Sequence, residues 1–355
     1  MTMRLKTLRR QIDNLDKKII RLLNQRAKTT LNITNLKRKQ GQGIYSPDRE
    51  REVLKKITAV SKGLLSPKAL EAIYREIMSC SLSLDKPLTV AYLGPEATFT
   101  HLAALKRFGS QIKYIACNSI GDVFLEVERD TADYGVVPIE NSIEGAVTYT
   151  LDMFVDSELK ICAQVILDIS HNLLANCAKE SIKQLYSNPQ VFGQCNIWLQ
   201  KNLPLVDKIE VSSTTRAARL AARGKNSACI ASLLAAKIYK LKVIARDIED
   251  SPHNITRFLV IGETDVPQTG EDKTSVMFSI KDRVGALHDM LMPFKKYRIN
   301  LTKIESRPSK KKAWDYYFFV DLGGHRDEPR VKKALLELEN KCTFLKILGS
   351  YPVGE

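Results

Sequence analysis

The chain has 355 residues, 44% hydrophobic and 27% charged, with a net charge of +15. This is the composition of a folded, core-building protein rather than a disordered one, and at roughly 100–200 residues per domain it suggests two or three domains. No apolar run reaches the roughly 18–20 residues that cross a bilayer, no secretory h-region follows the basic start, and seven isolated cysteines without a C-x-x-C pair argue against disulfides and a cysteine-rich zinc site, so a cytoplasmic location is expected.

Residues 1–87 carry most of the charge, with 20 Lys/Arg against 8 Asp/Glu. Apolar residues recur there at Leu5, Leu8, Ile12, Leu15, Ile19 and Leu22, alternating steps of three and four. That spacing predicts one long helix from about Leu5 to Lys39, ended by Gly41 and Gly43. Ser46-Pro47 and Ser66-Pro67 each read as an N-cap followed by a first helical position, opening two shorter helices. Such stripes cannot be buried within one chain of this size, so an intertwined helical dimer is expected.

Continuing the register brings Arg26 into the apolar seam. A buried guanidinium needs an anion, and the long helix offers only Asp13 and Asp16. Lys37 returns to nearly the same face eleven residues on, whereas Arg9 lies roughly 25 Å from Arg26 along the helix. One small ligand gripped by both would need Arg9 from a second chain. A basic helical segment suits nucleic acid or a small polyanion. The seam position of Arg26, and the lack of helix-turn-helix spacing, favour the polyanion.

The run LRRQIDNLDKKIIRLLNQR, then Lys37, then SPDRERE, resembles the all-helical chorismate mutases. By that resemblance Arg9 (from a second copy), Arg26 and Arg49 bind the substrate's carboxylates. Lys37 serves the ether oxygen as the catalytic cation, Glu50 holds the substrate hydroxyl, and Ser46, Ser81 and Asp85 line the site. The reaction, chorismate to prephenate, is an intramolecular rearrangement that needs a clamped conformer and positive charge at the breaking C–O bond. It needs no metal and no cofactor.

After Lys86-Pro87 the pattern becomes α/β. Strands are predicted at Thr89–Leu93, Tyr134–Ile139, Ile161–Leu167, Ser181–Tyr186, Ala228–Ala231, Lys242–Ala245 and Thr256–Gly262. There is no G-x-G-x-x-G and no Walker loop, so no dinucleotide or nucleoside triphosphate is expected. The stretches GPEATFT, VVPIENSIEGAV, YSNPQVFGQC, SSTTRAA and NITRFLVIG, in this order over about residues 88–265, resemble the prephenate dehydratases. That family has a two-lobed, periplasmic-binding-protein-like α/β domain with the site in its cleft.

The resemblance implies that Thr256 donates a hydrogen bond to the departing hydroxyl, with Glu140 nearby as proton source. Asn141, Ser187, Gln194, Ser213 and Arg257 would orient prephenate, and Thr98, Phe99, Ser142, Thr214 and Phe258 would line the site. His101, His171 and His253 are acids by chemistry that the family pattern does not favour. Ala97 and Asn188 stand where glycine and histidine are usual, and Ala97 is expected to hold an unstrained φ.

Thr264–Lys273 reads as a linker. A strand, helix, strand, strand, helix, strand order follows over 272–355, the ferredoxin-like arrangement. Gly285-Ala286-Leu287-His288 and Glu305-Ser306-Arg307-Pro308 resemble the motifs of ACT domains on prephenate dehydratases. The implied ligand is phenylalanine at a dimer interface, touched by those eight residues and by Asn300 and Leu301, with a close backbone approach at Gly285. The three blocks (1–87, 88–265 and 272–355) together resemble the bifunctional chorismate mutase/prephenate dehydratases. A homodimer or homotetramer acting on small molecules is expected, with no nucleic acid and no membrane.

Overall fold

A computed structural model describes residues 2–39, 46–84, 87–281, 283–309 and 315–354. Asp85, Gly41 and Gly43 lie outside the described residues. The chain divides into two compact units. The first is helical: α1 (Thr2–Lys39), α2 (Pro47–Val60) and α3 (Pro67–Leu82), with the segment Phe108–Lys113. Pro47 and Pro67 sit at the first helical positions, where a missing N–H costs nothing. Ser66 caps α3 by accepting from the Ala69 amide at 3.2 Å. Ser46 occupies the cap position of α2 but does not cap it; its hydroxyl accepts from Lys37 instead. The predicted stripe of α1 is present yet uncovered within one chain, with Leu5, Leu8, Ile12, Leu15, Ile19 and Leu22 all 49–63% exposed.

The second unit begins at Thr89. Its first lobe holds β1 (Thr89–Leu93), α4 (Phe99–Phe108), β2 (Lys113–Cys117), α5 (Ile120–Glu128), β3 (Tyr134–Asn141), β4 (Gly145–Ala146), α6 (Thr148–Asp156) and β5 (Lys160–Asp168). The chain then crosses to a second lobe: β6 (Asn172–Ala175), β7 (Gln184–Ser187), α7 (Pro189–Gln194), α8 (Asn196–Asn202), β8 (Asp207–Glu210), α9 (Thr214–Arg223), β9 (Ser227–Ala231), α10 (Leu233–Ile238) and β10 (Lys242–Ala245). It returns as β11 (Ile255–Gly262), which inserts antiparallel between β3 and β5. The sheets run β2-β1-β3-β11-β5, with β4 beside β3, and β10-β6-β9-β7-β8. This is the two-lobed architecture expected, and both crossovers meet at one edge, where the Ile169 amide donates to the Asn254 carbonyl at 2.7 Å. Strands β2, β4, β6 and β8 escape the sequence pattern: KYIAC and NLLA do not alternate, DKIE is mostly charged, and β4 is only the pair Gly145–Ala146. The strand expected from Ser181 starts only at Gln184, after a 3₁₀ turn at Lys179–Ser181.

The C-terminal block holds β12 (Asp272–Ser279), α11 (Ala286–Lys296), β13 (Leu301–Pro308), β14 (Tyr316–Gly323), α12 (Pro329–Glu339) and β15 (Phe344–Pro352), in the sheet order β13-β14-β12-β15. One sheet face packs Val276, Phe278 and Val320 on Met290, Phe294 and Leu335 of its helices. The other face is largely covered. Met277, Phe319, Leu348 and Tyr351 join a buried cluster with Val137, Phe154, Ile161 and Leu259 of the first lobe. Two consecutive sequence blocks therefore share one core. Gly349 permits the approach: a Cβ there would lie 2.3 Å from the Ile161 carbonyl oxygen. Among the described residues no helix is long and apolar enough to cross a membrane.

Candidate active sites

In the helical unit four of the predicted residues meet in two hydrogen-bonded pairs. Arg26, half-buried on α1, donates to the Ser81 hydroxyl on α3 at 2.9 Å, and Ser81 in turn donates to the Ile77 carbonyl. Lys37 near the end of α1 donates to Ser46 at the start of α2. Glu50 is half-buried, and Arg49 is exposed and paired with Glu52, one turn along α2. Arg9 is exposed on α1, roughly 25 Å from Arg26 by helix rise, so one chain does not bring them together.

The second site lies where the crossovers of the two-lobed unit meet. Asn141 ends β3 opposite Thr256 in β11. Its Oδ1 accepts from the Ile143 and Glu144 amides at 2.9 and 3.1 Å, which fixes the orientation of its amide. Its Nδ2 therefore points inward and donates to Thr256 Oγ1 and Asn254 Oδ1, both at 2.8 Å. Thr256 is 9% exposed and receives a hydrogen bond from Asn141, so its own proton remains for donation.

The network continues through Gln194, at the end of α7. Gln194 Oε1 accepts from Asn254 Nδ2 at 3.2 Å and lies 2.7 Å from His171 Nε2, and its Nε2 donates to Glu144 at 3.0 Å. An oxygen that already accepts from Asn254 places the imidazole proton on His171 Nε2. The His171 amide donates to Glu249, and the Phe99 ring stands edge-on to the imidazole at 5.8 Å. Glu144, Gln194, Glu249 and Asn254 line an open recess. Of these, sequence reasoning named only Gln194. Asn254 opens the NITRF stretch two residues before Thr256, and that placement is the available sequence signal.

Other predicted residues have structural duties. Ser142 donates to the His253 carbonyl and accepts from the Ile255 amide, clamping the return crossover. Thr98 donates to the Leu93 carbonyl and accepts from the His101 amide. Ser187, fully buried in the second lobe, donates to the Ile230 carbonyl, and Ser213 caps α9 just before Thr214. Asn188 caps α7. Phe258 is a core residue at 2% exposure.

Glu140 and Arg257 depart from the sequence expectation. They pair directly across β3 and β11, one residue along from Asn141 and Thr256. Successive side chains of a strand face opposite sides, so they lie on the face away from the Thr256 network. Arg257 donates to Asp321 at 2.5 Å and to the Tyr351 hydroxyl at 2.9 Å. Glu140 lies 3.1 Å from Lys303. The geometry therefore separates Glu140 from the proton-source position expected beside Thr256. Burial opposes the charge on Arg257, but Tyr351, Asp321 and Glu140 outweigh it and raise its pKa.

Ala97 also corrects an expectation, because its φ is +72°. Alanine in this left-handed region costs about 1–2 kcal/mol. Its methyl is buried with Ala217, Ala218 and Ala221, recovering about 0.8 kcal/mol. The turn places the Ala97 amide 3.1 Å from His101 Nδ1.

In the C-terminal block Gly285 opens α11 at φ +77°, while a Cβ there would meet nothing within 4 Å. Glycine is needed there for its backbone angle, and among the described residues nothing crowds the position. Ala286 is buried, Leu287 is 36% exposed and His288 faces Asp289. Asn300, Ser306 and Pro308 are exposed on or beside β13, with Leu301 and Glu305 half-buried. Arg307 forms a two-pronged pair with Asp152 of α6, both contacts at 3.1 Å.

Burial lowers the pKa of His171, against the opposing effect of Gln194, and lowers that of His101 against Glu96. The unfolded chain takes up both protons near the ordinary value of about 6.5, while the folded chain resists them. Their contribution to stability is thus complete above that value and is lost as pH falls through the lower folded values. Melting temperatures recorded from about pH 7.5 to about pH 5 should decline, and His171→Gln should remove part of the decline. An unchanged profile in the variant would show that His171 does not contribute.

Models of three known families match consecutive blocks: chorismate mutase type II over residues 8–86, prephenate dehydratase over 90–266 and the ACT domain over 274–340. A bifunctional chorismate mutase/prephenate dehydratase from Aquifex aeolicus is 53% identical, covering 98% of this chain and 98% of its own length. The protein of that description from Pseudomonas aeruginosa is 44% identical, over 98% of this chain and 97% of its own. The solved structure of a prephenate dehydratase from Arthrobacter aurescens in complex with L-Phe is 33% identical, with a TM-score of 0.70, over 75% of this chain and 90% of that one. With whole-length identity above half to such a relative, and both enzyme domains and the ACT domain in their order, the chain belongs to the family of bifunctional chorismate mutase/prephenate dehydratases.

Proposed function

We propose that Thr256 is the group that donates to the departing hydroxyl of prephenate, and that Asn141 makes it a donor. The observation carrying this reading is the fixed Asn141 amide: it occupies an acceptor position on Thr256 and leaves the hydroxyl proton to face substrate. As the ring carboxylate leaves as carbon dioxide, its bonding electrons aromatise the ring and the hydroxyl departs, most easily where a donor meets its growing negative charge. Gln194, Asn254 and neutral His171 extend the polar wall beside this point.

In the helical unit Arg26 and Arg49 bind the dianion, Lys37 meets the ether oxygen as it gains charge, and Glu50 takes the substrate hydroxyl. Arginine suits carboxylates by its planar fork. Arg9 enters from a second copy, whose α1 covers the exposed leucine stripe, giving a homodimer. Phenylalanine binds the ACT block at the start of α11 and along β13 and lowers dehydratase turnover. This reading draws support from the ACT family match and from the L-Phe complex of the Arthrobacter relative. Seven free cysteines fit a reducing cytoplasm.

Asn141→Asp tests the dehydratase assignment with almost no change of shape. A carboxylate can only accept, so it would claim the Thr256 proton. Dehydratase kcat should fall roughly 100-fold, with chorismate rearrangement at the wild-type rate. Retention of dehydratase activity would remove Asn141 and its hydrogen bond from the mechanism.

A further inference from the structure

The C-terminal sheet does more than pack against the dehydratase lobe. It places a set of buried charges against the strands that carry Thr256 and Asn141. Asp321 of β14 and Tyr351 of β15 receive Arg257, and Ser275 of β12 donates to Asp321 and lies 2.6 Å from the Tyr351 hydroxyl. Lys303 of β13 meets Glu140, and further along the same face of β13 Arg307 grips Asp152. The side chains of Arg257, Asp321 and Lys303 are only 10–11% exposed.

Two observations give these pairs a geometric role. First, the β3–β11 ladder slips between Arg257 and Phe258: Arg257 pairs with Glu140, but Phe258 pairs with Pro138, leaving Ile139 as an extra residue. A bulge interrupts the hydrogen bonding, and Pro138 has no N–H to donate. On the β3 side the ladder is therefore interrupted just behind the tip carrying Asn141 and Thr256, while β11 there stays in register with β5 and the Ser142 amide donates to the Ile255 carbonyl. Second, a buried ion pair adds little stability over apolar residues of similar volume, and its best-attested use is to fix register.

We propose that Lys303 and Asp321 are positioning residues of the dehydratase, acting through Glu140 and Arg257 to fix the strand tip that presents Asn141 and Thr256. The proposal rests on the assignment of Thr256 and Asn141 given above. It makes the C-terminal sheet a part of the dehydratase's catalytic framework as well as the carrier of an effector site.

The experiment uses the full chain with prephenate as substrate, and takes the mutase rate as an internal measure of folding. Wild type is assayed first; failure to consume prephenate would defeat the dehydratase reading itself, before any variant is compared. Asp321→Asn and Lys303→Met should each lower dehydratase kcat roughly tenfold, because small misplacements of reacting groups cost this much or more. KM should stay within about twofold, the mutase rate should hold, and Lys303→Arg should restore kcat. The Glu140→Gln/Lys303→Met double variant should be no slower than the slower single variant, because both act through one pair. Lys303→Met, at the more open pair, keeps the test available if Asp321→Asn does not fold. A kcat within about twofold of wild type in Lys303→Met, or losses that multiply in the double variant, would overturn the proposal.

Discussion

Thr256→Val should lower dehydratase turnover by roughly 100- to 1,000-fold while chorismate rearrangement continues at the wild-type rate. Valine keeps the shape of threonine and its fit to a strand but has no proton to donate. Thr256 sits at the end of the Asn141, Asn254, Gln194 and His171 chain, and its hydroxyl is the one whose donor capacity is left over. Losing one donor aimed at a developing negative charge typically costs about 3–4 kcal/mol of transition-state stabilisation. The structural cost is smaller, about 1–3 kcal/mol for leaving Asn141 Nδ2 short of one partner. Steady-state rates with prephenate, beside a melting curve, separate the two. A folded variant within about tenfold of wild type would assign the departing hydroxyl to another group.

Arg26→Ala should produce the mirror image, abolishing most chorismate rearrangement and sparing dehydration. Arg26 is the guanidinium on the apolar register of α1, half-buried and bonded to Ser81. Ser81 retains the Ile77 carbonyl as a partner after the change, so the helices lose little. The substrate dianion loses a charge-assisted clamp worth on the order of 3 kcal/mol or more in the transition state, a factor of roughly 100 or greater. The dehydratase strands belong to the other compact unit and should be unaffected. Mutase turnover equal to wild type in a folded variant would remove Arg26 from the site.

Residues near one another in the chain explain what the sequence made legible. The α1 stripe is visible because helix spacing is local, and Arg26 is conspicuous only because that stripe is regular. The Ser-Pro pairs mark helix starts by backbone chemistry, although Ser46 gives its hydroxyl to Lys37 rather than to the helix. The Asn141 to Asn254 bond, by contrast, joins residues 113 apart, and Asn254 reaches Gln194 across 60. Those meetings exist because β11 returns from the second lobe and inserts beside β3. No periodicity within either strand announces that pairing. The same pairing decides that Glu140 and Arg257 look away from Thr256, a consequence of strand alternation that needs the register before it can be drawn. Likewise the shared core beneath Met277 and Tyr351 is invisible in a pattern that reads 264–273 as a simple linker.

The most direct test of the account supplies the purified chain with chorismate alone and follows prephenate and phenylpyruvate together, with and without phenylalanine. Chorismate should be consumed, prephenate should rise and then fall, and phenylpyruvate should accumulate. Added phenylalanine should slow the second step more than the first, so that prephenate builds up. Chorismate left untouched, or prephenate accumulating without any phenylpyruvate in the absence of phenylalanine, would contradict the assignment of two active sites to this one chain.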